Sequence, residues 1–174
     1  MNVDTLLAKY TSGDRDFSNV ELSEANLEGV KLSGVNFIRA NLSQAILRNS
    51  NLSGAFFVLA DLQKADLSGA ILIVVNFSGA NLQEANLTQS KLSEAVLTGT
   101  QLQGANLTEA NLQGAILAGA NLSEANLRGG DLRGANLYGV DLRNADLTDA
   151  KITHANLRGA NLEGAIMPEQ LITA

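Results

Sequence analysis

From about residue 15 to residue 166 an apolar side chain returns every five residues, with no insertion. The series opens at Phe17 and runs through Leu22, Leu27, Leu32 and Phe37 to Leu162. Every centre is Leu except Phe17, Phe37, Phe57, Phe77 and Ile152. Two residues before each centre after Phe17 stands a small or β-branched residue, usually Ala, as at Ala25, Ala40 and Ala65. The position between them is Asn or Asp in twenty of the thirty units, so it is polar with a preferred chemistry. Gly gathers two residues after the centres, as at Gly29, Gly54, Gly99 and Gly134.

A helix cannot hold this period. At about 100° per residue, a step of five carries successive Leu round the whole surface. An unbroken strand fails as well, because its period is two and five is odd. A short extended piece followed by a turn satisfies both constraints. The small residue and the centre then face one way, and the chain turns before the next pair. Gly just ahead of the next small residue suits turns that need positive φ.

The number of sides to the coil is written in the aromatic residues. Phe17, Phe37, Phe57 and Phe77 recur every 20 residues, which is four units. The pattern predicts a square coil with Phe stacked on Phe at one inner position. Thirty units make about seven and a half coils, and at roughly 4.8 Å per coil the rod is about 36 Å long.

The phrase Ala120-Asn121-Leu122-Ser123-Glu124 and its neighbours resemble the pentapeptide-repeat proteins. Those carry Leu or Phe at the centre, with Ala-Asn or Ala-Asp before it. The resemblance covers about 150 of the 174 residues. It implies an all-β solenoid, a right-handed quadrilateral β-helix of about seven to eight coils, in a bacterial family abundant in cyanobacteria. The handedness comes from the resemblance and not from the spacing.

The flanks differ from the repeat. Residues 1–14 predict a short capping helix, with Asn2 or Asp4 as N-cap, Gly13 as stop, and Leu6, Leu7 and Tyr10 on one apolar face. The helix would cover the open first coil, since a solenoid end exposes core and unpaired backbone. The β-helix is expected over 15–167. Residues 168–174 are expected to form a short C-terminal tail or cap, in which Leu171 and Ile172 would cover the last coil or join two rods end to end.

One stretch breaks the outward polarity. Phe56, Val58, Leu59, Ile71, Ile73 and Val74 stand at positions predicted to face solvent. They occupy adjacent faces of about one coil, with Ile38 one coil below Val58. A contiguous exposed apolar patch of this kind is a candidate interface.

Composition then narrows the chemistry. There is no Cys, so no disulfide, thiolate metal site or cysteine nucleophile is available. His154 is the one His, at an outward turn position, and no second His stands ready for a zinc site. Asp146 and Asp149 pair two carboxylates on a convex wall without a cleft. The interior is expected to be filled by side chains, leaving no pocket of several hundred Å³. No catalytic, cofactor or metal residue is therefore expected. Stacked Asn, such as Asn106 and Asn126, are expected to bond their amides up and down the rod. Lys151 and Asp131, 20 residues apart, are expected as a surface pair. The longest apolar run, Ala70 to Val75, is too short to span a membrane, and Met1 to Tyr10 lacks the features of a signal peptide, so the cytoplasm is the expected location.

These observations point to a non-catalytic structural or protein-interaction rod. Its partner is a protein of unknown identity, with weak self-association through the patch or the C-terminal end as the other contact. Direct nucleic-acid and membrane binding are not expected, given a net charge of −6. The resemblance also raises an alternative. One branch of the family mimics duplex DNA and binds a type II topoisomerase such as gyrase. A duplex of about 36 Å presents roughly 20 negative charges. This chain has Arg128, Arg133, Arg143 and Arg158 among its acids and only a few residues where that branch carries a dimerisation module.

Overall fold

The structure is a computed structural model that describes residues 1–169. Among these residues the helix α1 (Val3–Thr11) is followed by a square coil. Single-residue parallel bridges join residues 20 apart throughout, from Asp16↔Asn36 to Asp146↔Ile166. The four-unit coil predicted from the Phe spacing is therefore the observed one. Extended backbone is limited to the neighbourhood of each bridge because a turn intervenes every five residues.

One unit explains the rest. The centre N–H of Leu27 donates to the carbonyl of Ile46 in the next coil (2.7 Å), and the corner N–H of Gly29 donates to that of Arg48 (2.8 Å). Ile46 N–H reaches back to the carbonyl of Ala25 (2.9 Å). Within a unit, Ala45 N–H closes a turn on the Leu42 carbonyl (3.0 Å), with Gln44 at φ 57°. Positive φ at the third turn residue is the type II arrangement, which explains the Gly preference there. The square has four walls, named here for their lowest bridged residue. Wall I holds Asp16, wall II Glu21, wall III Asn26 and wall IV Lys31, and each corner residue is counted with the wall it ends.

Inside, the centres and the small residues form one continuous core. The Phe column is stacked on wall I, with centroids 6.2, 5.4 and 5.0 Å apart from Phe17 to Phe77. Three polar side chains intrude. Ser50 Oγ donates to the Leu47 carbonyl (2.6 Å) and Thr100 Oγ1 to the Phe77 carbonyl (2.9 Å), while Ser90 Oγ has no protein partner.

The two ends differ. Asn2 caps α1 by accepting Thr5 N–H (2.8 Å), and Gly13 follows the C-cap Ser12 at φ 108°. Leu6 is fully buried, and Val3, Leu7 and Tyr10 pack on the core. Tyr10 also donates its hydroxyl to the Ser33 carbonyl (2.8 Å), using a backbone acceptor of the first coil. Phe17 and Leu22 are buried as a result. At the far end Ile152, Leu157 and Leu162 are only half-buried. The expected covering by Leu171 and Ile172 lies outside the described residues.

Candidate interaction surface

The unit geometry sorts the six candidate residues. The residue before a centre and the residue after it both point outward, and the next one forms the corner. Phe56 and Val58 flank Phe57 on wall I, and Leu59 ends that wall. Ile71 and Ile73 flank Leu72 on wall IV, and Val74 forms the corner where wall IV passes into wall I. Phe56 (46%), Leu59 (53%), Ile73 (38%) and Val74 (51%) are exposed, which is unusual for large apolar side chains. Val58 and Ile71 are half-buried. The fold brings Ile73, Val74 and Phe56 round one corner. It leaves Ile71 toward wall III and Leu59 at the opposite corner, where its side chain leans over Gly79; a Cβ on Gly79 would lie 2.8 Å from Leu59 Cδ2.

Two of these residues sit in unfavourable backbone. Val74 has φ 51° and Leu59 φ 58°. The other corners with positive φ hold Gly, Asn, Asp or longer polar residues. A β-branched residue in the left-handed region is an outlier whose cost is of order 1–2 kcal/mol.

The apolar surface reaches further up wall I than the sequence reading placed it. Val96, Ile116 and Asn136 follow Phe56 and Asn76 in one column, and Ile116 is 40% exposed. Tyr138, 55% exposed, stands in the next column, one coil below Arg158. Five successive stretches of wall I, from 55–59 to 135–139, contain no charged residue. The signal was present as a step of 20 from Phe56, and it is hidden when the chain is read along its length. Below Phe56 an open depression of about 420 Å³ is lined by Arg15, Asp16, Gly34, Asn36, Ile38 and Phe56. A second, of about 320 Å³, lies by Asp149, Lys151 and Pro168. Both are open hollows on the outer surface, and the interior is filled by the stacked centres and small residues.

Charge is divided between walls. Twelve of the 18 acidic residues stand on walls II and III, against three on walls I and IV: Asp16, Glu94 and Asp131. The acids with the firmest contacts are tied to neighbours. Arg133 holds the Asp131 carboxyl well below its ordinary range through a two-pronged contact (2.7 and 2.8 Å), aided by Gln113 (2.6 Å). Arg143 lowers Asp141 through a similar contact. Asp146 is lowered first by the Thr148 hydroxyl and backbone N–H, then by Arg128 (3.1 Å).

The family model for pentapeptide repeats matches the chain in eight copies, over residues 16–54, 40–79, 70–108, 105–144 and 131–167. The chain belongs to the pentapeptide-repeat family. Among solved structures it is similar to HetL of the cyanobacterium Nostoc sp. strain PCC 7120, described as involved in heterocyst differentiation regulation. That match has 31% identity, covers 96% of this chain and 97% of HetL, and has a TM-score of 0.51. QnrB1, a plasmid-mediated fluoroquinolone resistance protein, is 23% identical over 91% of this chain and 84% of its own, with a TM-score of 0.56. At that identity it speaks for the fold alone, the right-handed quadrilateral β-helix of the family. No curated protein matches the chain.

Two expectations about pentapeptide side chains are corrected. Asn106 and Asn126 do not bond each other. Each accepts the backbone N–H two residues on, from Thr108 and Arg128 (3.0 Å each), closing an Asx turn. Amide contacts between coils occur elsewhere and are sporadic, as from Asn156 to Asn136 (3.3 Å). Asp131 and Lys151 are vertical neighbours, yet the carboxylate pairs with Arg133, whose planar fork lies on the same wall. His154 is exposed at a corner with φ 61°. Among the described residues no three His, Asp or Glu converge as a metal site would require, and no helix is long and apolar enough to cross a membrane.

Proposed function

We propose that this pentapeptide-repeat protein is a non-catalytic rod that binds a protein partner through the corner between walls I and IV. The observation that supports it is Val74: an apolar, exposed, β-branched residue at positive φ, beside exposed Ile73 and Phe56. Backbone strain under an exposed apolar side chain is retained where it serves a contact. The solid core agrees with this reading, since the interior is filled by side chains. The test compares partner capture by the wild-type rod, by Phe56→Ser/Ile73→Ser, and by Glu109→Ser on wall III as control. A partner retained by the control and lost from the double variant is expected. Equal capture by all three would sink the reading.

The DNA-mimic alternative has one observation in its favour, the gathering of acids on walls II and III. The magnitude goes against it. Those walls carry twelve acids and four cations, each cation in an ion pair, against roughly 20 unopposed charges on an equal length of duplex. A gyrase supercoiling assay without inhibition at micromolar protein is the expected result.

A further inference from the structure

We propose that the partner segment received by the wall I–wall IV corner is acidic with an apolar face; this rests on the reading of that corner as a docking surface. The argument comes from cations rather than from the apolar patch. On walls II and III every cation is neutralised. Arg48 meets Glu28 (3.3 Å) and Asp66 (3.6 Å), Lys64 meets Glu84 (3.8 Å), Arg128 meets Asp146 (3.1 Å) and Arg143 meets Asp141 (2.6 Å). On walls I and IV only Arg133 has such a partner among the described residues. Lys31, Arg39 and Lys91 make no ion pair there, and Arg15 lies over the Tyr10 ring, 3.7 Å from its centroid.

These cations frame the patch. Lys91 is bridged to Ile71 one coil above, and Lys31 stands two coils below it in the same column. Arg39 stands at the far edge of wall I, in the corner column shared with wall II, one coil beneath Leu59. The acids that could oppose them are turned elsewhere. Asp131 is held by Arg133 and Gln113, and Asp16 by Ser18 and Asn36. Glu94 stands above Val74 but leans the other way, toward Gly114. An acidic segment is therefore drawn to walls I and IV and repelled from walls II and III, while a basic one is drawn to the wrong side of the rod. A lipid surface suits the geometry less well. Phe56 and Ile73 lie on different walls of one corner, and a flat bilayer meets one wall at a time.

The test pans a phage-displayed library of random peptides of about 16 residues, about 24 Å as a helix, against the whole protein. Phe56→Ser/Ile73→Ser serves for counter-selection, and Phe56→Asn as a second, conservatively folded variant. Selected peptides are expected to carry net negative charge and to bind about tenfold or more weakly to Arg39→Glu/Lys91→Glu. Neutral or basic peptides, or binding indifferent to that charge reversal, would overturn the acidic assignment and leave the docking surface standing. If no selected peptide depends on Phe56 and Ile73, both readings fall. Flotation with phosphatidylserine vesicles that the Phe56 variants abolish would hand the corner to lipid and overturn the proposal. A dimer in sedimentation lost in the same variants would hand it to a second copy, with the same consequence.

Discussion

The Phe57 and Phe77 rings are stacked, with centroids 5.0 Å apart and planes inclined by 24°. Both are fully buried, one coil apart on wall I. Above them the same column continues with Leu97 and Leu117, so the coil accepts either shape. Phe57→Leu should therefore cost little, about 1 kcal/mol. Phe57→Ala opens a cavity that the ladder above and below cannot close, and should cost about 3–5 kcal/mol. Urea unfolding checks both. Equal losses for Leu and Ala would show that the column does not depend on filling.

Val74→Gly should make the protein more stable although it removes an apolar side chain. Val74 is 51% exposed, so little burial is lost. Releasing its φ of 51° returns of order 1–2 kcal/mol, and the freer unfolded chain takes back up to about 1 kcal/mol. The net expectation is a gain of about 0.5 kcal/mol, read as a higher urea midpoint. Val75→Gly, one residue on and fully buried, should do the opposite. A lower midpoint for Val74→Gly would remove the strain from the functional argument.

Acid should weaken the rod through Asp131, Asp141 and Asp146. Contacts from Arg133, Arg143 and Thr148 hold their folded pKa values below the ordinary range. A lowered folded pKa gives stability that is present above the unfolded value, about 3.9, and lost as pH falls through the folded one. The melting temperature should stay level in this respect from pH 7 to about 5 and fall below about 4. Asp131→Asn should flatten part of that fall. These groups are largely solvated, so the effect is modest. An unchanged acid limb in the variant would show that the Arg133 contact carries no stability.

Much of this was legible because the repeat leaves few choices. A step of 20 between Phe17, Phe37, Phe57 and Phe77 admits one stacking, and the bridges follow it. The cap was legible in Leu6 and Gly13, whereas the sequence offers both Asn2 and Asp4 as N-cap and the structure takes Asn2. The side-chain partners were not. Asn106 Oδ1 can meet either the coil above or the Thr108 N–H, and the turn presents that N–H at close range whatever the neighbouring coil holds. Asp131 had two cations in reach, and its choice of Arg133 over Lys151 is a matter of rotamer and fork geometry, which spacing does not encode. The extension of the apolar wall through Val96, Ile116 and Tyr138 was encoded, but only modulo 20.

The same Asx chemistry yields a prediction that separates contact from stability at Phe56. Where Asn or Asp precedes the centre, its oxygen accepts the N–H two residues on. Asn36 receives Ile38 N–H (2.9 Å), and Asn76 receives both Ser78 N–H (2.9 Å) and Ser78 Oγ (2.7 Å). Phe56 stands between these two in the column and offers Val58 no such acceptor. Phe56→Asn supplies it, in a slot whose neighbours above and below show that Asn fits. A hydrogen bond of this kind is worth about 0.5–1.5 kcal/mol, and Phe56 is 46% exposed, so less burial is forfeited than at a core site. The variant should be at least as stable as the wild type in urea while its partner capture falls to background. Asn76→Ala, which removes the acceptor and no apolar contact, should lose about 1 kcal/mol and keep capture. If Phe56→Asn instead lowers stability and capture together, Phe56 is a packing residue of the wall and the corner loses its claim to a partner.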